Sequence, residues 1–192
     1  MDRDLMYQDE IKRTVREAYA AIPTGAGETV ARHLYSEEEL AQVPPGAVGW
    51  ALGVGNPVRY AMLQPGETVL DVGSGGGIDT ILAAHRVGPE GRAMGLDIID
   101  EMIRRGRRHA QEAGVGEWAE FLEGEMEDVP LPDASIDVVI SNGVLNLSAR
   151  KSRALSEIHR VLRPGGRISI ADLTVEGDLP PEVANDQSAW AG

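Results

Sequence analysis

The chain contains no cysteine. Disulfides, thiolate metal sites and cysteine nucleophiles are therefore excluded for this sequence. Long apolar runs are missing too, and stretches such as "IDVVI" are far too short to span a bilayer. The first residues, "MDRDLMYQDE", are polar and acidic, unlike a signal or transit peptide. Positive charge is scarce. Lys and Arg number 18 against 31 Asp and Glu, a net charge of −13. A general binder of nucleic acid or of an anionic membrane needs a basic surface, so no nucleic-acid or membrane partner is expected. Repeats and low-complexity stretches are absent. The lack of cysteine fits a cytoplasmic protein, which is the expected location.

What remains is 192 residues, 42% hydrophobic and 26% charged, enough for one domain with a sizeable core. Ile11, Val15, Ala18, Tyr19 and Ile22 recur at helical spacing, so a helix is expected over about 8–22, stopped by Pro23. Residues 23–35 read as loop. Ser36 with Glu39 has capping-box spacing and predicts a short helix in "SEEELAQV". The acids Glu37–Glu39 read as charge favoured at a helix N-terminus. "PPGAVGWALGVG" reads as loop, and Asn56 with Pro57 as the cap and first turn of "PVRYAML".

After Gly66 the pattern changes to alternation. Strands are expected at "TVLDV", "AMGLDI", "AEFLE", "IDVVIS" and "RISIADL". Helices are expected over about 77–87, 100–112 and 148–162, the last presenting Leu155, Ile158 and Leu162 on one face and ended by "RPGG". The crossover around "GEMEDVPLPDAS" reads as irregular. Such alternation predicts an α/β fold, a doubly wound, Rossmann-like parallel sheet. Ligands on such sheets bind beyond the carboxyl ends of the strands, where the glycine-rich stretch "LDVGSGGGID" lies.

No lysine follows this loop, which excludes a phosphate-binding P-loop. A dinucleotide fingerprint would place glycine at position 78, where the chain has Ile78. The order is instead Asp71-x-Gly73-x-Gly75-x-Gly77. This resembles the first motif of the class I S-adenosylmethionine (SAM) methyltransferases. SAM carries an amino-acid end, a sulfonium and an adenosine but no phosphate. The resemblance implies that Gly73, Ser74, Gly75 and Gly77 let the cofactor lie against the backbone. It implies that Asp71 helps hold the amino end. Asp97, at the end of "GLDI", is either a ribose-binding acid or a cap for the next helix; beside the glycine loop, ribose binding is expected. Ile98 and Met102 join the implied cofactor set. In "GEMED", Glu125 either reads the adenine amino group or is a solvated loop acid, and the backbone at Met126 would meet the ring.

A narrower resemblance rests on "YSEEELAQVP", "GVGNPVRYAMLQPGETVLDVGSGGGIDT", "LAAHRVGPEGRAMGLDIIDEMI" and "VVISNGVLNLSARKSRALSEIHRVLRPGGRISIADL". From about Val15 to its end the chain resembles the arsenite methyltransferase family. The family's cysteine in "GCGNP" is Val54 here, the one in "SNCVINL" is Gly143, and a bacterial cysteine pair is replaced by "TGAGET". Trivalent arsenic needs soft thiolate ligands. The expected activity is therefore SAM-dependent methyl transfer to a small molecule other than arsenite. A catalytically inactive SAM-binding or partner-dependent domain is the alternative, and a nicotinamide oxidoreductase a distant third. Asn142 and Asn146 either orient the acceptor or make turns and caps. Asn142 is also counted with the cofactor set. Tyr19 either closes over the cofactor or packs within its helix.

The resemblance divides the chain into a helical extension or lid (1–62), a SAM-binding core (63–175) and a C-terminal tail (176–192). Class I enzymes add a C-terminal hairpin, which the resemblance leads us to expect missing here. The last strand is then expected to be an edge, open to a tail, a homodimer partner or another chain. His33, His85, His109 and His159 show no metal-ligand spacing and are expected to pack or face solvent. "RRGRRH" reads as a solvated helix face.

Overall fold

The N-terminal third folds into short helices, and the reasons are local. The computed structural model describes residues 3–20, 23, 25–174, 176 and 177. Helix α1 spans Arg3–Ala20, so it begins earlier than its apolar spacing predicts. Val15 is buried; Ile22 and the side chain of Ile11 lie outside the described residues. Residues 23–35 are not all loop, because α2 covers Glu28–Leu34. Its N-cap is Gly27, with no side-chain cap to announce it, and Ala31 is its buried anchor. Helix α3 (Glu37–Leu40) carries the expected capping box, Ser36 Oγ accepting from the Glu39 N–H and the Glu39 carboxylate accepting from the Ser36 N–H. A turn of helix, α4 (Pro45–Val48), replaces part of the expected "PPGAVGW" loop. Proline at a first helical position needs no donor, which suits α4 and also α5 (Pro57–Tyr60), capped by Asn56.

Glu39 is more than an N-terminal charge. It is buried and accepts from Asn56 Nδ2 at 3.1 Å and Arg59 at 3.2 Å, with Arg86 nearby. Burial raises its carboxyl, but the Ser36 amide, Asn56 and Arg59 outweigh this and leave it below the ordinary value.

Strands β1 (Thr68–Val72), β2 (Arg92–Asp97), β3 (Ala119–Glu123), β4 (Ile136–Asn142) and β5 (Leu162–Ala171) form one parallel sheet among the described residues, in the order β3-β2-β1-β4-β5. This is the doubly wound order, with its switch between β1 and β4. Successive side chains go to opposite faces. Val69 joins Ile81, Leu82, Ile103 and Phe121 in one core, while Leu70 and Val72 join Val139, Ile158 and Val161 in the other. Helices α6 (Ile78–Val87) and α7 (Asp100–Glu112) fall where the sequence places them.

The last helix is shorter than expected. A 3-10 turn at Leu145–Leu147 precedes α8 (Lys151–Val161), whose buried face is Ala154, Glu157, Ile158 and Val161; Leu155 is exposed. "RPGG" does not simply end it. Ile136 pairs with Leu162 and Val138 with Arg167, so these four residues bulge out of the β4–β5 ladder. Both β3 and β5 are edges, and Ile168 on β5 is exposed. No helix among the described residues is long and apolar enough to cross a membrane.

Candidate active site

A cleft opens at the carboxyl ends of β1, β2 and β4, with an empty volume of about 1080 Å³ including its mouth. Its floor is the loop from Gly73 to Gly77. Gly73 and Ser74 donate their N–H groups to the Leu96 carbonyl at 2.8 and 3.0 Å, which ties the loop to β2. Gly75 has φ +51 and nothing within 4 Å of where a Cβ would stand, so the backbone is open to a ligand. Gly77, φ +91, begins α6 with its absent Cβ directed at Phe121. His109 braces the loop from α7, its Nδ1–H donating to the Gly76 carbonyl at 2.8 Å; burial lowers its pKa and keeps the ring neutral.

Asp97 closes one side. One carboxylate oxygen accepts from the Gly75 N–H and the other from the Ile99 N–H, both at 2.9 Å. Burial raises this carboxyl, against the amides that favour its charge. Each oxygen keeps acceptor capacity for a further donor. Ile98, Met102 and Met126 form an apolar slot beside it. Ser74 Oγ is buried, lines the cleft and has no hydrogen-bond partner.

The remaining expected residues divide. Tyr19 lines the cleft from α1, along with Lys12 and Val15 on the same helical face. Its hydroxyl pKa is raised by burial and by Asp97 and Asp172. Asp71 is buried beneath the loop, accepting from Thr80 Oγ1 at 2.7 Å, and does not reach the cleft wall. Glu125 also stays off the wall. Its side chain is 41% exposed and accepts from Lys12 Nζ at 2.5 Å. Asn142 lines the cleft, yet its amide is engaged: Oδ1 accepts from the Val54 and Gly55 N–H groups, and Nδ2 donates to Tyr35, Gly55 and Asp79. Asn146 lies off the wall, its N–H donating to Asp172 and its Oδ1 buried without a partner.

Two residues that matter here were not singled out by sequence. Asp79, in the first turn of α6, lines the cleft, and Tyr35 donates to it at 2.9 Å. Tyr35 comes from the segment expected to be loop. Its hydroxyl, pushed far up by burial and by Asp79, stays protonated and donates. "RRGRRH" is only partly solvated. Arg105 stacks on Trp50, another cleft residue, at 3.8 Å, and Arg107 donates to the Phe121 carbonyl.

The model of a family described as "Methyltransferase domain" matches residues 63–192. The chain belongs to that methyltransferase family. An arsenite methyltransferase of Halobacterium salinarum is 39% identical over 100% of this chain and 54% of its own length. A solved arsenic(III) SAM methyltransferase from Chlamydomonas reinhardtii matches with a TM-score of 0.63 and 33% identity, over 88% of this chain and 52% of that one. A SAM-dependent methyltransferase from Aquifex aeolicus matches with a TM-score of 0.57 and 25% identity, over 81% and 79%. The chain thus spans about half the length of the arsenite methyltransferases it matches. The fold is that of the class I SAM methyltransferases, and SAM is the cofactor of this methyltransferase family. The cleft fits it: an open glycine backbone, a carboxylate with acceptor capacity, an apolar slot and an orphan hydroxyl.

Proposed function

We propose that this chain binds SAM in the cleft and transfers its methyl group to a small acceptor other than arsenite. The observation that carries the reading is Asp97, held by the Gly75 amide at the edge of the open glycine loop. Asp97 would take the ribose hydroxyls. Ile98, Met102 and the backbone at Met126 would enclose the adenine. Gly73, Ser74 and Gly75 would border the methionine end, while Asp71 and Gly77 shape the loop from beneath. Glu125, paired with Lys12, would latch α1 near the adenine end. When bound, the cofactor supplies an electrophilic methyl on a sulfonium. The chain's own residues align acceptor and methyl and exclude water. Residues 1–62 serve as a lid over the core of residues 63–175, supported by Lys12, Val15, Tyr19 and Trp50 on the cleft wall; the tail from 178 lies outside the described residues.

The acceptor wall argues against arsenite. A Cβ on Gly143 would stand 3.5 Å from Val54 Cγ1, so the two positions where the arsenite enzymes carry cysteine are neighbours. Here they offer an isopropyl group and bare backbone, and the chain supplies no thiolate. Of the residues expected to orient the acceptor, Tyr19 lines the cleft and would do so directly, whereas Asn142, its amide engaged with the Gly55 backbone, Tyr35 and Asp79, and Asn146, off the wall, would act by holding the surrounding loops in place. A cytoplasmic setting and pairing of the open β5 edge with a second chain belong to the same proposal; solution mass reads out the pairing.

Calorimetric titration with SAM, S-adenosylhomocysteine and NAD tests the cofactor. Micromolar binding of both adenosyl ligands without NAD is expected, followed by turnover in an acceptor screen in which arsenite is inactive. Absence of adenosyl binding by folded protein would overturn the reading. Binding without turnover on any acceptor would leave an inactive binding domain.

A further inference from the structure

The stretch "RRGRRH" on α7 turns three of its residues inward. Arg105, Gly106 and His109 share one helical face, which lies against the second half of the glycine loop and against the stretch that carries Trp50. His109 is 1% exposed. Its neutral ring must carry the hydrogen on Nδ1, because the Gly76 carbonyl 2.8 Å away can only accept. Its other nitrogen, Nε2, faces Gly46 of α4, where a Cβ would stand only 2.5 Å away. One turn earlier on α7, Arg105 lies 3.8 Å over the Trp50 ring. Gly46 thus meets His109, and Trp50 meets Arg105. The two stretches run antiparallel, in register at both places.

Gly76 is caught in this joint. The Cβ it lacks would come 2.7 Å from Trp50 Cβ, while its carbonyl is held by His109. Behind it, a Cβ on Gly77 would stand 3.2 Å from Gly106 Cα, so α7 backs the loop there as well. Neither Arg105 nor His109 lines the cleft. Each grips a residue that shapes it. Gly76 follows Gly75, whose backbone is open to a ligand, and Trp50 leads into Ala51, Leu52 and Gly53, all on the wall. We propose that His109 and Arg105 are positioning residues for the cofactor, holding Gly76 and Trp50 in one register from outside the cleft and so setting the gap between the glycine loop and the wall from Trp50 to Gly53. This rests on the SAM reading of the cleft.

The need for such a device follows from the sequence on both sides of the gap. Glycines at 75, 76 and 77 let the backbone come close to a ligand but give the loop little stiffness of its own. The facing stretch, "GWALGVG", has glycines at 49, 53 and 55 and is no stiffer. The shape of each must come from its neighbours. A hydrogen bond from a buried ring fixes the loop, and a guanidinium stacked on an indole fixes the wall. Both come from one rigid helix, so the two sides are placed relative to each other. A misplacement of about 1 Å, caused by a change outside the site, is enough to weaken a positioned ligand severely.

Calorimetric titration of folded protein with S-adenosylhomocysteine tests the proposal. His109→Leu fills the place of the ring without a donor and should weaken binding about tenfold. His109→Asn puts an N–H where Nδ1–H stands and should stay within about threefold of wild type. A merely space-filling role would favour leucine over the smaller asparagine. Arg105→Leu covers the indole without a cation and should weaken binding about threefold or more. Because Arg105 acts through Trp50, the same change made in Trp50→Leu protein should weaken binding no further. Wild-type affinity in His109→Leu, or a loss that asparagine does not repair, would overturn the proposal. So would a full additional loss from Arg105→Leu in the Trp50→Leu background, and that comparison decides if His109→Leu fails to fold. Wild-type protein that binds no S-adenosylhomocysteine would instead bring down the SAM reading itself, and the proposal with it.

Discussion

Asp97 and Asn142 stand on opposite sides of the cleft and do different work. Asp97 spends half its acceptor capacity on two backbone amides and presents the rest to a ligand. Replacing it by alanine should weaken SAM binding about tenfold to a hundredfold, by the loss of hydrogen bonds to a charged acceptor and of the support for Gly75. Calorimetric titration measures this; affinity equal to wild type would remove Asp97 from the ribose site. Asn142 has no such surplus. It joins the end of β4 to the Gly53–Gly55 backbone and to Tyr35 and Asp79. Gly53 has no room for a Cβ, which would overlap the Asn142 amide. In Asn142→Ala several buried polar groups lose their partner, and a loss of about 3 kcal/mol in unfolding free energy is expected from urea denaturation. A loss below about 0.5 kcal/mol would mean that these bonds are replaced by water.

The elements that shape the cleft depend on close approach as much as on apolar pattern. Helix α7 lies over Phe121 of β3, and the contact is made at Gly106, where a Cβ would come within 2.3 Å of the ring. Gly106→Ala gains about 1 kcal/mol of helix propensity but must push an enclosed ring aside, at about 1–3 kcal/mol. The variant should melt several degrees below wild type in a thermal scan; a higher melting temperature would show that α7 can shift freely. The same logic explains what the sequence made legible. Strands β1 and β4 are β-branched runs and β2 and β3 short apolar stretches between turn residues, and all four read almost to the residue. The place of Asp97 at the end of β2 was legible with the strand itself. Helices α2 and α4 did not read, since four to seven residues carry little period and α2 has a glycine cap. Leu155 misled because one exposed leucine looks like a buried stripe, whereas α8 buries Glu157 instead, its charge met by Arg160. Asp79 was visible in "GGGID" but its meaning was not. Only folding brings Tyr35 and Asn142 onto it and leaves it without a cation.

At the scale of the whole molecule, two sets of carboxyls oppose each other in pH. Glu39, Glu67, Asp137 and Glu157 are held below their ordinary values, burial raising Glu39 and Asp137 but their hydrogen bonds and arginines prevailing. Their stabilisation is present above the unfolded carboxyl range and is lost as pH falls below about 4.5. Asp71 and Asp79 are raised, Asp79 to about 6, chiefly by burial. A raised carboxyl stabilises most below its unfolded value, and that contribution is lost as pH climbs through the folded one. The net charge of −13 adds self-repulsion in the same direction. Without cofactor, stability should therefore peak between about pH 4.5 and about pH 6, and be lower at about pH 7.5 by on the order of 2 kcal/mol. Urea denaturation across that range measures it. Asp79→Asn should flatten the alkaline limb. A cofactor-free stability that climbs steadily to neutral pH would contradict the raised pair, and would mean that water reaches Asp79 far better than its burial implies.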